Sequence, residues 1–295
     1  MIRIGTRGSD LALWQAHYLA DQLKENGYES VIKIIKTRGD KIQNLSFDKI
    51  EGKGFFTKEI EDELLAHEVD VAIHSMKDLP TAQPGGLVIS GVSNRAAVQD
   101  ILIIKKSAVD STQALSVKKG GIIGTSSIRR KSFMQHLRKD VNFHDIRGNV
   151  PTRVQKLRDG DMDAIILAKA GVDRLNLYLE DLHVHVLNPM EFVPAPAQGV
   201  LAYQTRENDI ETRKVVQKIH VRDVSTLTNV ERTILKLFDG GCHLALGAYC
   251  TKDANQFYHC YGMYASSLEE QPKFVRLSQS TTHRLAERVY EALTT

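Results

Sequence analysis

The chain has 295 residues, 42% of them hydrophobic and 25% charged, which can bury a real core and, at roughly 100–200 residues per domain, predicts two or three domains. A formal net charge of +3 gives no case for general nucleic-acid binding, and no run approaches the ~18 apolar residues of a spanning helix, so neither nucleic acid nor membrane is expected as a partner. Three cysteines, Cys242, Cys250 and Cys260, argue against a disulfide framework; with an N-terminus that lacks a basic-then-apolar leader, they predict a reducing, cytoplasmic setting.

Read in chain order, Ile2–Thr6 is a strand, and Leu11 to about Asn26 a helix that Ser9 or Asp10 can cap and Gly27 ends. Val31–Thr37 is a strand, Phe55–His67 an amphipathic helix and Val69–His74 a buried strand; Leu87–Val92 and Ile101–Ile104 are further strands. A second series follows: strand Gly121–Gly124, helix Ser127–Leu137, strand Asn142–Ile146, helix from Thr152, strand Ala164–Ala168, helix from Ala170, then a break at Pro189, Pro194 and Pro196. Gly199–Tyr203 resumes as a strand; a helix from about Thr226 to Phe238, strands around Ala248–Cys250 and Phe257–Met263, and a helix His283–Leu293 close the chain. The alternation predicts α/β domains with largely parallel sheets. The expected organisation is 1–100 plus about 198–220 as domain 1, 101–197 as domain 2 and 221–295 as domain 3. Arg3–Ser9 and Ile122–Ser127 echo one another as strand, Gly-Thr turn and helix, so two similar lobes could bring both turns to one cleft at the carboxyl ends of their strands.

The strongest local signal is Gly124-Thr125-Ser126-Ser127-Ile128-Arg129-Arg130, a strand entering a polar turn that opens a helix, where free N–H groups and the helix dipole favour an anion. Helix capping alone accounts for Ser127, but capping does not need two adjacent arginines. Arg147, Arg153 and Arg174 fall after strands or at helix starts, and Arg7 lies in the echoing turn. Each alone reads as a surface residue; together they suit carboxylates, because the planar guanidinium fork gives two parallel hydrogen bonds. Nucleic acid would call for interleaved aromatics, which the cluster lacks.

Ile73–Pro80 ends a buried strand in a dense polar turn. Asp78 there is either an acid/base or cation-stabilising group, or an Asx turn and Lys77–Asp78 surface pair. The stretch 48–56, with Lys49, Lys53 and Phe56, reads from its residues as a solvated loop and could serve as a lid. Leu237–His243 ends a helix in Gly-Gly and presents Cys242. A small buried hydrophobe is the commonest fate of such a thiol, and a nucleophilic or covalently modified thiol is the functional option. Cys242, His243, His259 and Cys260 do not match zinc spacing, so no metal is expected.

These runs together resemble the hydroxymethylbilane synthase (porphobilinogen deaminase) family over about residues 2–250. The matching pieces are Gly5–Ser9 with Leu11–Ala16, Gly52–Phe56 with Lys58-Glu59, His74–Pro80, Gly124–Ser127 with Arg129-Arg130, Arg147–Val150 with Thr152-Arg153, Gln198-Gly199 and Gly240–Cys242. The chain departs from the usual pattern at Asp10, Ala197, Thr205 and His243–Ala245.

The resemblance implies three α/β domains, the first two like periplasmic-binding-protein lobes and the third a small α+β domain. It implies a transferase, working as a monomer, that joins four porphobilinogen units with loss of ammonia into hydroxymethylbilane, on a dipyrromethane cofactor thioether-linked to Cys242. Asp78 matches the catalytic aspartate, which as a buried carboxylate would stabilise the cation left when ammonia departs. Lys77, Thr125, Ser126, Ser127, Arg129, Arg130, Arg147, Gly148 and Arg153 match cofactor contacts. Arg7, Ser9, Arg174 and Gln198, with Arg147 and Arg153 shared, match substrate contacts. Lys49, Lys53 and Phe56 match the lid. The competing readings are a non-catalytic two-lobed anion-binding protein, which needs no thiol at Cys242, and a phosphate-handling transferase, for which a Walker run is missing.

Overall fold

A computed structural model describes residues 1–37, 57–240 and 244–295; Lys49, Lys53, Phe56, Cys242 and His243 lie outside these described residues. In chain order the elements are β1 (Ile2–Thr6), α1 (Asp10–Glu25), β2 (Ser30–Ile34), α2 (Lys58–Leu65), β3 (Val71–Ser75), β4 (Leu87–Val92), β5 (Asp100–Lys105), β6 (Ile122–Gly124), α3 (Ile128–Leu137) and β7 (Asn142–His144). There follow α4 (Val150–Asp159), β8 (Ala164–Ala168), α5 (Lys169–Arg174), β9 (Leu182–Val186), β10 (Leu201–Arg206), α6 (Ile210–Lys218) and α7 (Arg222–Leu237). β11 (Ala245–Lys252), β12 (Tyr258–Ala265), β13 (Lys273–Gln279) and α8 (Leu285–Thr294) complete the order. The protein is thus α/β, with two mixed five-stranded sheets and a small three-stranded one among the described residues. Two compact units are present: residues 1–96 with 199–226, and residues 97–198 with 227–295.

In the first unit the sheet order is β2-β1-β3-β10-β4. β1 pairs in parallel with both β2 and β3, so the loops after β1 and β3 leave from one carboxyl edge. One face buries Ile4, Val71, Ile73 and Tyr203 against Leu19 and Leu23 of α1 and Val216 of α6. The other face packs Ala72 and Leu87 against Ile60 and Leu64 of α2.

The second unit contains sheet β7-β6-β8-β5-β9 and the antiparallel sheet β11-β12-β13. Alternation along β5 explains its two-sided burial: Ile101 and Ile103 face α4 and α5, while Leu102 and Ile104 face α3. Tyr261 and Met263 of β12 join the α3-side core, and Gly247 of β11 lets Phe133 and the Val193 carbonyl approach closely; a Cβ there would lie 2.5 Å from that oxygen. α7 and α8 cover the remaining face of the small sheet through Ile234, Leu285 and Val289.

The large sheets are less parallel than alternation alone predicts. β10 inserts antiparallel between β3 and β4, and β5 runs antiparallel between β8 and β9. Three elements went unread. β9 and β13 are sheet edges whose residues are half exposed, leaving no apolar run; α6 starts behind an Asp209 cap on a short, polar sequence. β10 also extends past Tyr203 into Gln204, Thr205 and Arg206, all buried. Their polarity hid them, and each is satisfied internally: Arg206, for example, donates to the carbonyls of Leu64 and Val69 and to Asp209.

Candidate active site

In the first unit, β1 ends at Thr6 and delivers Arg7 and Ser9 to the start of α1. Ser9 occupies the N-cap position without a side-chain capping bond. The neighbouring β3 ends at Ser75 and enters a single 3-10 turn, Met76–Asp78. Arg7, Ser9, Lys77 and Asp78 therefore leave from adjacent parallel strands at one edge, where α/β sheets bind ligands. The turn is held from several sides. Gln15 donates to Ser75 Oγ at 2.8 Å, and the Met76 N–H donates to the Val200 carbonyl at 2.9 Å. Asp78 itself is exposed rather than buried, because it stands at the end of the turn while Met76 and Leu79 beside it point into the core.

In the second unit, β6, β7 and β8 are parallel neighbours whose carboxyl ends feed α3, α4 and α5. The turn after β6 folds on itself. Thr125 Oγ1 accepts from the Ser127 N–H at 3.2 Å, and Ser127 caps α3 by accepting from the Arg130 N–H. Ser126 Oγ donates to the Ile146 carbonyl at 3.0 Å and accepts from the Ile146 N–H at 3.1 Å, fixing this turn to the loop that carries Arg147 and Gly148. Gly148 adopts φ +113°, and its carbonyl accepts from Arg153 Nε at 2.8 Å. Arg174 lies in the last turn of α5. Thr125, Ser126, Ser127, Arg129, Arg130, Arg147, Gly148, Arg153 and Arg174 thus all belong to the strand-to-helix connections of one sheet edge or the helices they open.

Arg129 and Arg130 turn inward. Their Nη2 atoms lie 2.7 Å from the two oxygens of Asp100, which is 0% exposed. Arg129 also donates to the Val193 carbonyl and Arg130 to that of Ile166. Burial alone would raise the Asp100 pKa, but the two guanidiniums outweigh it and hold the carboxyl well below the usual range. Burial in turn lowers Arg129, against the pull of Asp100. Gln198 is fully buried as well, and its Nε2 donates to the Val98 carbonyl at 2.8 Å and to Asp100 at 3.1 Å, both within the same unit. Arg130 Nε is buried without a hydrogen-bond partner.

The family model for the dipyrromethane cofactor binding domain of porphobilinogen deaminase matches residues 2–214. The chain belongs to the porphobilinogen deaminase family. The porphobilinogen deaminase of Oceanobacillus iheyensis is 42% identical over 257 residues, covering 86% of this chain and 82% of that protein. The probable porphobilinogen deaminase of Methanocella arvoryzae is 43% identical over 251 residues, covering 85% and 80%. A periplasmic substrate-binding protein of an ABC transporter from Coxiella burnetii is similar at 14% identity and a TM-score of 0.44, over 76% of this chain and 94% of that one.

As a porphobilinogen deaminase the chain is a transferase of tetrapyrrole biosynthesis and carries the family's dipyrromethane cofactor binding domain. The second-unit edge fits such a group. Two arginines against one buried carboxylate leave an excess positive charge, and the unpartnered Arg130 Nε leaves a donor over after internal pairing. Of the thiols among the described residues, Cys250 and Cys260 face each other across β11 and β12 and are buried; the contact with Cys250, then burial, push the Cys260 thiol up. His259 hydrogen-bonds Asp253 and Ser278. Asp100, which anchors Arg129 and Arg130, is the residue at this site that sequence reasoning missed. The available signal was a lone acid opening the apolar run Ile101–Ile104, with nothing to link it to arginines 29 and 30 residues on.

Proposed function

We propose that this chain condenses four porphobilinogen units head to tail, with loss of ammonia at each addition, and releases hydroxymethylbilane. The observation that carries the reading is the gathering of Arg129, Arg130, Arg147, Arg153 and Arg174 on neighbouring strand-to-helix connections in a chain of this family. Dipyrromethane, linked to Cys242 by a thioether, supplies when bound the pyrrole position on which growth starts. Thr125, Ser127, Arg129, Arg130, Arg147 and Arg153, with Lys77, hold its acetate and propionate groups; Ser126 and Gly148 shape the two loops concerned.

Arg7, Ser9 and Arg174 orient the incoming ring by its carboxylates, with Arg147 and Arg153 shared. Asp78 accepts hydrogen bonds from pyrrole N–H groups and balances the positive charge that builds on the substrate as its aminomethyl C–N bond breaks and ammonia leaves. Lys49, Lys53 and Phe56 belong to a lid. Among the described residues no helix is long and apolar enough to cross a membrane; we place the enzyme in the cytoplasm as a monomer.

Intact mass of protein co-expressed with a porphobilinogen supply tests the attachment, with Cys242→Ser as control. A mass increase of one dipyrromethane, absent from the serine variant, is expected; an unmodified wild-type chain overturns the assignment. Asp78→Ala is expected to keep the cofactor mass and lose turnover by about 10²–10⁴-fold. Near-normal porphobilinogen consumption removes Asp78 from this role.

A further inference from the structure

We propose that Gln204 is a positioning residue for the Asp78 turn, its amide bracing the two ends of segment 74–83. This rests on the reading that Asp78 serves the reaction. Gln204 lies on β10 and His74 on the adjacent β3, where Ala202 is paired with His74 and Gln204 with Ala72. The two side chains are therefore diagonal neighbours on one face of the sheet, and the small Ala202 opposite His74 leaves the room between them. Ala72 shows which face this is: it packs against α2, the helix that carries Glu61.

One arrangement of protons satisfies the whole group. His74 Nε2 and Gln204 Oε1 lie 3.1 Å apart, and Gln204 Nε2 donates to Gln83 Oε1 at 2.8 Å and to Glu61 Oε1 at 3.1 Å. The Pro80 carbonyl can only accept, so Gln83 turns Nε2 towards it and Oε1 towards Gln204; Gln204 must then present Nε2 to Gln83 and Oε1 to His74, which fixes His74 as the Nε2–H tautomer. Burial keeps the imidazole neutral, and Gln83 Nε2 continues the chain to the Pro80 carbonyl at 2.8 Å. A single buried amide thus joins the residue four positions before Asp78 to the residue five positions after it. Gln204 is 0% exposed, and its bonds to His74 and Glu61 are buried. The partner strand β4 shifts register beside Tyr203 and Gln204, an irregularity of the kind that re-aims a side chain next to a site.

The carbonyl and NH₂ of Gln204 are both needed. Gln204→Met keeps the length and removes every bond; Gln83→Leu removes only the downstream link, at a half-buried loop position where folding is least at risk. Both are to be made in holoenzyme, with the cofactor mass checked, and read by hydrogen exchange of the Met76–Leu79 amides together with kcat and KM for porphobilinogen. In both, exchange at these amides should rise about tenfold or more, and kcat should fall on the order of 10–100-fold while KM moves less than about threefold, as expected when a reacting group is displaced by about an ångström. Unchanged exchange at 76–79 overturns the brace; raised exchange with intact kcat overturns its link to the reaction. Should Gln204→Met fail to fold, Gln83→Leu decides both points. Asp78→Ala at normal turnover would sink the reading of Asp78 alone, while the exchange data would still report on the brace.

Discussion

Arg130 donates through Nη2 to the fully buried carboxylate of Asp100 at 2.7 Å, and Arg129 reaches the second oxygen of the same carboxylate at the same distance. Two adjacent arginines at the head of a helix are thereby anchored from behind. Their positive charge stays at the sheet edge, while the planes of their guanidiniums are set by the protein rather than by a ligand. Preorganisation of this kind lowers the entropy lost when a carboxylate binds.

Asp100→Asn should therefore be among the more damaging single changes in the second unit. It leaves two buried guanidiniums facing one neutral amide, and breaking a buried pair from one side costs about 3–5 kcal/mol. Because Asp100 is depressed in the folded state, its contribution is present above the unfolded carboxylate pKa and is lost only as pH falls through the lower folded value. The deficit should then be undiminished at neutral pH. Urea unfolding of wild type and variant measures it, and a deficit below about 1 kcal/mol would mean the arginines do not depend on this carboxylate.

Much of the local geometry around the candidate site was legible beforehand, and the gaps have physical causes. The turn at Thr125–Ser127 could be read because glycine, hydroxyls and arginines crowd into seven consecutive residues, and the cap bond from Ser127 follows from local geometry. The same holds for the strand Val71–Ser75 leading to Asp78. What could not be read is whatever polar side chains do across long sequence separations. Gln204 contacts Glu61 143 residues away, and Gln198 contacts Asp100 98 residues away; a glutamine after an apolar run carries no local sign of burial. For the same reason Arg129 and Arg130 read as ligand donors or solvated basic residues and not as partners of a buried acid, since the carboxylate that orients them is remote.

Gly148→Ala should loosen the loop that presents Arg147. The backbone there has φ +113°, a region that side chains avoid, and an added Cβ would stand 2.7 Å from Thr152 Cγ2. Strain and overpacking together should cost about 1–3 kcal/mol. The Gly148 carbonyl also receives Arg153 Nε, so displacing it frees that arginine from its observed orientation. Loss of one charge-assisted contact of about 1.5 kcal/mol corresponds to roughly a tenfold rise in KM for porphobilinogen. A lowered Tm with unchanged KM would separate the fold of the loop from any role in holding substrate.

His74 should make the first unit sensitive to mild acid. Burial lowers its pKa from 6.5 to about 4; the Gln204 bond opposes this and the Arg7 charge adds to it. The unfolded chain takes up a proton as pH falls through 6.5, whereas the folded chain does so only near 4, so the stabilisation is complete above 6.5 and drains away between those values. At ~1.4 kcal/mol per pH unit, the whole gap is on the order of 3 kcal/mol. His74→Gln has no such proton to bind. The wild-type-minus-variant difference in stability should therefore fall steadily from about pH 7 towards about pH 4.5, when unfolding free energies from urea titrations are compared. A wild-type-minus-variant difference that stays level across this range would show that the imidazole takes its proton in the folded state as readily as in the unfolded one, and that burial beside Gln204 does not hold it neutral.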